Sequence, residues 1–579
     1  ILFLKDTDGD NKADVREVWF DGFTPAHPQM QIGNPRWGFD NRIYLNYGPG
    51  KVRMTRPGFK PTEPVQMPRK DFWFDPLTME FGACSGLGQF GNTIDHRGYR
   101  FFTTNRNPIM VEMLPAEAVN RNPFAIIPKA YADVGPSGGD TRVYPLVDMK
   151  SNYLSHAGTH TSACGVTAYL GDLFEGDYRD SVFVCEPIGH LVTRTIVTPD
   201  PNSVGLIAKR ARDKADFLAS TDTWFRPASL ATGPDGALYL ADMYRLWVEH
   251  PKFLPPDIAA RINWRAGENR GRIWRIAPTG ESDRPADRPV FQPAQTTKDL
   301  VTLLTDSNGW RRMLGQRLFV ERHDVSAVPK LRNMTKGYYV DPNDRQRSYA
   351  PRVETSTRAL WTLDGLGLLT ALELENVFHS SNEQLQWNAA PLLKYFTVGD
   401  ANWTLNQDRL AHSKSARVRL RAALSLGEIH TPHSTALLTK LAVQDGGDPW
   451  MSMAILTSCR ECSAQVATGI HDAWRQSPRS PLSITHFEFV QQLAEVCGAR
   501  GDSAELVTLL KSFASDGDEV TWWQSAVLSG LARGLPRHAP SDVPGNLPQL
   551  LSVQSEPWLG FAGSIKDVLN RSKSIVLDP

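Results

Sequence analysis

Four aspartates are crowded into one turn near the start of the chain, between two apolar runs that are typical of β-strands. The turn lies in the stretch ILFLKDTDGDNKADVREVWF, where Gly9 and Asn11 tolerate the left-handed backbone that a tight loop needs. Carboxylates at alternate positions of such a loop converge, and oxygen ligands of this kind favour Ca²⁺. A merely solvated acidic turn is the alternative. The predicted calcium ligands are the side chains of Asp6, Asp8, Asp10 and Asp14 and the carbonyl of Lys12.

The densest histidine cluster of the first half is SHAGTHTSACG, which carries His156 and His160. Histidine is the side chain whose charge changes near neutral pH, so it is the usual base for removing a proton from a hydroxyl group. These two residues are therefore candidate bases or ligands. A structural histidine bonded to backbone is the alternative for each of them.

Six cysteines are present, and none of them belongs to a haem-attachment motif. The stretch CREC has CxxC spacing, but Ser463 stands where the histidine of CxxCH is required. A zinc site would need a second pair of ligands, which the sequence does not offer. Helix-packed thiols or one local disulfide remain for the second half. Cys164 and Cys185 flank two predicted strands and are either buried thiols or a bridge formed in an oxidising compartment.

The composition excludes several classes of function. Lys+Arg and Asp+Glu both number 63, so no net charge attracts nucleic acid or an anionic membrane. No apolar run reaches the roughly 20 residues that span a bilayer, and the sequence carries no P-loop, Rossmann or G-x-S-x-G motif. Because the sequence begins at Ile1 in the middle of a predicted strand, we expect it to be part of a longer chain.

The periodicity of the sequence changes near residue 280. Up to that point short strands alternate with Gly, Asp, Asn and Pro turns, as in WGFDNRIYLNYG and GPDGALYLADMY. Such units recur at blade-like spacing, which predicts an all-β propeller over 1–280 with earlier blades before Ile1. Residues 281–298 are rich in proline and charge and predict a linker.

Residues 299–579 show the apolar spacing of amphipathic helices, as in NGWRRMLGQRLFVER. Paired helices recur at roughly 35–45 residues, which favours a HEAT-like α-solenoid over an ordinary helical domain. The sequence therefore predicts a multidomain chain in which an all-β propeller precedes an all-α solenoid.

Several segments resemble the membrane-bound dehydrogenase domain that is common in planctomycetes. They include HTSACGVTAYLGDLFEGDYRDSVFVCEPIGHLVTRTIV, FLASTDTWFRPASLATGPDGALYLADMYRLWVEHP and ENRGRIWRI, and NGWRRMLGQRLFVER resembles the HEAT segment that follows that domain. The first half is more distantly similar to soluble sugar dehydrogenases that use pyrroloquinoline quinone (PQQ). In the family a cytochrome c domain often comes next, but this sequence contains no haem motif.

The second resemblance implies a redox site. Arg226 in WFRP stands where the sugar dehydrogenases carry a cofactor-binding arginine, and Arg106 and Asn107 in NRNP resemble their Arg-Asn pair. Ile109 and Met110 replace the usual Gln-Gly continuation. A surface ion pair is the alternative for each arginine. The family's catalytic histidine corresponds most nearly to His27, displaced by several residues, so the candidate bases are His27, His156 and His160.

Two functions follow as hypotheses. The resemblance implies a periplasmic quinoprotein-type dehydrogenase that oxidises a sugar or alcohol and passes electrons to a cytochrome c, associated with the membrane through segments outside this sequence. The alternative is a non-catalytic module in which the first half binds a glycan or protein and the solenoid carries a protein partner. A face lined by one histidine and at least two arginines would favour the dehydrogenase.

Overall fold

The computed structural model describes most of the chain in two compact units. The first unit comprises Ile1–Met113, Tyr131–Asp200 and Leu206–Val377, and the second comprises Leu114–Ala130, Pro201–Gly205 and Phe378–Pro579. The described residues are 1–25, 29–148, 157–248, 251–253, 255–278, 291–336, 339–340, 348–349, 352–397, 399–478, 482–514, 521–538, 543–553 and 557–577.

The part of the chain up to residue 278 is built of short strands. They are β1 Leu2–Lys5, β2 Val15–Val18, β3 Phe20–Phe23, β4 Gly33–Trp37, β5 Ile43–Asn46, β6 Gly50–Met54, β7 Val65–Met67, β8 Phe72–Phe74, β9 Phe81–Ala83, β10 Asn92–Ile94, β11 Arg100–Thr104, β12 Asn107–Glu112, β13 Tyr131–Asp133, β14 Cys164–Ala168, β15 Ser181–Glu186, β16 Leu191–Pro199, β17 Leu206–Arg210, β18 Leu218–Ala219, β19 Pro227–Thr232, β20 Leu238–Asp242 and β21 Arg272–Ile276. A further short pair, β22 Tyr339–Val340 and β23 Ser348–Tyr349, lies among the helices.

These strands form small antiparallel sheets that follow one another along the chain. The main ones have the strand orders β4-β5-β8-β9, β10-β11-β12-β13, β14-β15-β16-β17 and β19-β20-β21. The first strand of each of these sheets packs against the first strand of the next. At Gly165 this approach is so close that a Cβ atom would lie 2.7 Å from the carbonyl oxygen of Ala228, and φ is +59°. Only glycine fits this contact between β14 and β19.

The helices begin mainly beyond residue 297. They are α1 Ala116–Arg121, α2 Pro256–Ala259, α3 Thr297–Thr305, α4 Gly309–Arg322, α5 Val328–Thr335, α6 Val353–Gly365, α7 Ala371–His379, α8 Glu383–Ala389, α9 Ala401–Ala411, α10 Ala416–Leu426, α11 Pro432–Asp445, α12 Pro449–Ser458, α13 Ser463–Gln476, α14 Leu482–Thr485, α15 Phe487–Arg500, α16 Ser503–Ala514, α17 Trp522–Gly534, α18 Leu547–Ser552 and α19 Trp558–Leu577. N-capping side chains mark the first turn of several of these helices. Thr296 and Asp299 form a capping box at α3, and Ser415 caps α10.

Helices α4 and α6 cover one end of the sheets in the first unit. We call this the helix-bound end; it consists of the turns 38–42, 95–98, 169–180 and 233–236, each of which joins the first strand of a sheet to the second. The N-cap residue of α4, Asn308, donates from Nδ2 to the carbonyl of Gly233 at 2.9 Å. Gln316 of α4 donates to the carbonyl of Phe39 at 2.7 Å and to Oδ1 of Asn41 at 2.8 Å. The first helices after the sheets therefore belong to the same compact unit as the sheets.

The second unit is a stack of helices. Each of α11, α13 and α15 packs against the next helix but one, which is the neighbour pattern of stacked helix pairs. Helix α1 belongs to this stack although it lies early in the sequence, because Asn122 donates to the carbonyl of Leu456 at 2.6 Å. Within the described residues, none of the helices has the length and apolarity that crossing a bilayer requires.

The predicted order of a β half followed by a helical half is confirmed. The closure of the sheets into a propeller and the domain boundaries at 280 and 299 stay predictions. The compact units divide the chain differently, because α3 to α6 lie with the sheets whereas α1 and residues 201–205 lie with the later helices. These assignments depend on contacts between residues that are far apart in sequence.

Candidate functional site

The end of the sheets opposite the helix-bound end carries four of the six residues predicted for the redox site, namely Arg106, Asn107, His160 and Arg226. We call it the loop end; it consists of the segments 104–107, 159–163, 186–190, 220–226 and 242–247. The antiparallel strands β14, β15, β19 and β20 bring the last four of these segments together. The segment 104–107 joins them through the backbone N–H of Ala163, which donates to the carbonyl of Asn105 at 3.0 Å. The loop end therefore brings together five separate segments of the chain.

A buried carboxylate and an imidazole form a pair at the loop end. Glu186, the last residue of β15, has no exposed surface, and its Oε2 lies 3.2 Å from Nδ1 of His160. The same carboxylate accepts the backbone N–H of Thr161 and of Ser162, each at 3.0 Å. This arrangement fixes the ring of His160 with its Nδ1 proton directed at the carboxylate, so that Nε2 is the nitrogen left to accept a proton.

Arg226 lies at the loop end, but its guanidinium group is bonded to protein. It donates to the carbonyls of Pro187 at 2.9 Å, Arg245 at 3.0 Å and Leu246 at 2.6 Å. Its backbone N–H donates to Oδ1 of Asp242 at 2.8 Å. The side chain is 8% exposed. Arg226 therefore clamps the loop after β20 to the turn after β15.

Asp242 is a second buried anchor of the same loop. Its Oδ1 also accepts the N–H of Tyr244 at 2.8 Å, and its Oδ2 accepts the indole N–H of Trp274 at 3.0 Å. His190 completes the turn after β15 with φ of +55° and with Nδ1 3.0 Å from the carbonyl of Phe225. Burial lowers the pKa of His190. The proline-glycine turn PIGH gave no signal that this histidine would be buried.

Four partly exposed aromatic side chains lie at the loop end or beside it. Trp224, Tyr244 and Trp247 belong to the loop end, and Trp264 belongs to the segment 255–278 that follows it. The rings of Trp224 and Tyr244 are 5.9 Å apart, and those of Trp247 and Trp264 are 6.1 Å apart. The Tyr244 hydroxyl donates to Asp222 at 2.8 Å. A Cβ on Gly267 would lie 3.0 Å from the Trp224 ring and 2.6 Å from the Tyr244 carbonyl, so residues far apart in sequence are adjacent here. The density of tryptophan and tyrosine between 224 and 264 was the available signal for this cluster.

The other two residues predicted to bind the quinone, Asn107 and Arg106, differ in whether their donors have protein acceptors. Nδ2 of Asn107 donates to Asp133 at 2.7 Å, so this amide is bonded to protein. Nε of Arg106 is buried and has no hydrogen-bond acceptor among the described residues. His27 and His156 lie outside the described residues.

The fit of PQQ to these residues is therefore incomplete. PQQ needs cationic donors for three carboxylates, whereas Arg226 and Asn107 already hold protein acceptors and only Arg106 has a donor without an acceptor. As a set these residues do not fit the quinone. The assignment of PQQ stays a prediction, and no catalytic step is derived through it.

The acidic turn near the start of the chain brings three of its four aspartates together. Asp6, Asp8 and Asp14 each place a carboxylate oxygen within 4.8 Å of the others. Asp10 instead accepts the N–H of Lys12 at 2.8 Å and lies 3.6 Å from its Nζ. Gly9 and Asn11 have positive φ, as the turn required.

Hydrogen bonds within this turn favour the charged carboxylates. The N–H of Gly9 donates to Asp6 at 2.7 Å and lowers the pKa of that carboxyl. The hydroxyl of Thr7 donates to Asp14 at 2.7 Å and lowers its pKa too. All three convergent aspartates are exposed, and Asp10 is not part of their group. The calcium ion stays a prediction.

All six cysteines are free thiols. Cys164 of β14 lies directly opposite Cys185 of β15 in the strand register, as two flanking strands can place them. Cys459, Cys462 and Cys497 are buried in the second unit. Burial raises the pKa of Cys462 to about 11, so this thiol is protonated at neutral pH.

Comparison with protein-family models gives a match in the first half of the chain. A family model described as a domain of unknown function, DUF7133, matches residues 1–280. The search of curated proteins returned no match. The sheet-forming half of this chain is therefore similar to DUF7133 domains over residues 1–280, to which the description attaches no activity.

Proposed function

We propose that the loop end of the first unit binds a polyhydroxylated compound such as a sugar. The observation that carries this proposal is the group of partly exposed rings of Trp224, Tyr244, Trp247 and Trp264 at the loop end and beside it. The C–H face of a sugar ring is apolar and packs on an aromatic ring, while its hydroxyl groups need fixed polar partners.

Rigid support of the loops favours binding. Arg226 holds the carbonyls of Arg245 and Leu246, the two residues before Trp247. Trp264 is held by its indole N–H, which donates to the carbonyl of Ala259 at 2.9 Å. Side chains that are held in place before binding lose less conformational entropy when a ligand arrives.

Titration calorimetry with a panel of oligosaccharides tests this proposal. We expect one sugar class to bind, and we expect Trp247→Ala or Trp264→Ala to weaken its binding at least tenfold. Trp310→Ala is the matched control, because Trp310 is a partly buried tryptophan on α4, at the helix-bound end. If no sugar binds, or if both variants bind as well as the unaltered protein, the proposal fails.

The second candidate is oxidation of the bound sugar or alcohol, and the His160–Glu186 pair favours it. In this reaction Nε2 of His160 accepts the proton of a substrate hydroxyl group, and the Glu186 carboxylate stabilises the imidazolium that forms. The family resemblance adds a PQQ cofactor, a cytochrome c acceptor and a periplasmic location. The stack of helices is then the surface for a protein partner.

A dye-reduction assay separates the two candidates. The protein is supplied with substrate and an artificial two-electron acceptor, with and without added PQQ and Ca²⁺. If oxidation occurs, His160→Gln should reduce kcat at least 100-fold while the calorimetric Kd changes less than threefold. His412→Gln, at an exposed position in the second unit, is the control. Sugar binding without dye reduction under any condition would reject the oxidation and retain the binding proposal.

A further inference from the structure

Two cysteines face each other inside the sheet that leads to the loop end. Cys164 is the first residue of β14, and its partner in the antiparallel register is Cys185 of β15. Side chains of directly opposed residues project from the same face, and their Cα atoms lie about 4.5–5.5 Å apart, which is within the range that a disulfide spans. Cys185 belongs to a hydrophobic cluster that includes Phe183 and Val192, and Cys164 packs against the same cluster.

We propose that Cys164 and Cys185 form a disulfide when an oxidant of the disulfide class reaches them, and that this bond fixes the strand ends that hold Glu186. This inference does not depend on the ligand proposed for the loop end. It assigns a covalent modification to two residues beneath that site.

The position of the pair connects it to the candidate site. Cys185 directly precedes Glu186, and Cys164 lies two residues after Ser162, whose N–H donates to that carboxylate at 3.0 Å. Sγ of Cys164 also lies 3.8 Å from the carbonyl of Pro227, the residue after Arg226. A bond between the two sulfurs would therefore tie together both strands whose ends hold the carboxylate.

The reaction is a two-step exchange in which electrons and atoms balance. The thiolate of Cys164, the half-buried member of the pair, attacks oxidised glutathione and releases one glutathione thiol. Cys185 then loses its proton and attacks the mixed disulfide, which releases the second glutathione thiol and leaves the Cys164–Cys185 bond. The protein loses two electrons and two protons, and the glutathione disulfide is reduced to two thiols.

Burial makes this exchange slow at neutral pH. It raises the pKa of Cys164 and of Cys185, and the nearby Glu186 carboxylate raises both further. Thiolates are the attacking species, and the thiolate fraction of a thiol whose pKa lies above 9 rises about tenfold for each pH unit. We therefore expect the bond to form over hours at pH 7 and roughly 100-fold faster at pH 9.

Peptide mapping of the full chain tests the pairing. The protein is incubated with oxidised glutathione, denatured, alkylated and digested with trypsin. We expect four alkylated cysteines instead of six, and a linked species that joins the tryptic peptides 151–179 and 180–194. Cys84→Ser should leave this species intact, and Cys164→Ser should abolish it. Six alkylated cysteines, or a bond found only between Cys459 and Cys462, would overturn the proposal.

Thermal unfolding gives a second readout that does not need a variant to fold well. We expect the oxidised chain to melt several degrees above its reduced form, because a cross-link restricts the unfolded state. The difference should vanish on addition of a reductant. If the mapped bond forms without any change in melting temperature, its proposed role in fixing the strand ends is wrong.

Discussion

The two ends of the sheets in the first unit differ in what surrounds their turns. At the helix-bound end the turn atoms are bonded to α4 and α6, as when Gln316 bonds to Phe39 and Asn41. At the loop end the buried groups Glu186, Arg226 and Asp242 bond to neighbouring loops and hold aromatic side chains that stay partly exposed. Polar residues at one end thus attach helices, whereas polar residues at the other end shape a surface. For this reason we place the proposed ligand binding at the loop end.

The largest effect is expected at the helix-bound end. Gln316 has no exposed surface, and its Oε1 also accepts Nη1 of Arg358 at 2.7 Å. Gln316→Ala should therefore leave the Phe39 carbonyl and the Arg358 guanidinium without this partner, at a cost of about 3–4 kcal/mol in the free energy of unfolding. Urea denaturation measures it. Arg317→Ala, at the exposed neighbour, should cost less than about 0.5 kcal/mol, and equal effects of the two changes would contradict this account.

The next effect tests the role of Arg226 at the loop end. Arg226→Ala should lower the free energy of unfolding of the ligand-free protein by about 2–3 kcal/mol, because it frees three backbone carbonyls. Limited proteolysis should then cut within residues 243–248. Arg245→Ala keeps the carbonyl that Arg226 holds and is the matched control. A variant that is as stable as the unaltered protein but loses a cofactor would favour the predicted cofactor-binding role instead.

A third test uses pH, and it again concerns the helix-bound end. Burial, and then the guanidinium groups of Arg97, Arg179 and Arg312, lower the pKa of His96 to about 2. Asp180 lies 3.7 Å from Nε2 of His96 and is itself bonded to Arg97. Between pH 6.5 and 2 the unfolded chain binds a proton at this histidine and the folded chain does not, so stability falls as the pH falls.

The size of this effect follows from the proton uptake. At pH 5 the contribution of His96 is a loss of about 2 kcal/mol relative to pH 7, since each pH unit below 6.5 costs at most about 1.4 kcal/mol. Urea denaturation of His96→Gln at both pH values should show a loss smaller by this amount, because buried carboxylates contribute equally to both proteins. His412→Gln should behave like the unaltered chain. An unchanged pH dependence in His96→Gln would show that this histidine is protonated in the folded state.

The smallest effect is expected at the acidic turn, which belongs to neither end. If the turn binds calcium, adding Ca²⁺ should raise the melting temperature by a few degrees and a chelator should reverse the change. Asp8→Ala should abolish the response and Asp10→Ala should retain it, because Asp8 and not Asp10 belongs to the convergent group. A chelator without effect on the unaltered protein would leave a solvated turn, and equal loss in both variants would restore the four-aspartate site.

The sequence alone determined the features that depend on residues close together in the chain. Alternating strand patterns and turn residues fixed the β half, and apolar spacing fixed the helices, because both periodicities are local. The left-handed residues Gly9 and Asn11 were predictable for the same reason. Convergence of all four aspartates was expected from their spacing, and the structure brings together only Asp6, Asp8 and Asp14. The sequence also placed Cys164 and Cys185 on two neighbouring strands, whereas the register that sets them opposite each other came from the structure.

Only the tertiary structure decided which groups are bonded to each other across long stretches of chain. Arg226 was predicted to bind a cofactor or to form an ion pair, and in the structure its donors hold carbonyls up to 39 residues away. Gln316 gave no signal in the sequence, and it binds residues 275 and 277 positions earlier. Hydrogen-bonding capacity is a property of the residue type, but its use depends on which acceptors folding brings within about 3 Å. For that reason the sequence showed which residues at the loop end can donate or accept hydrogen bonds, but it did not show which partners they bind.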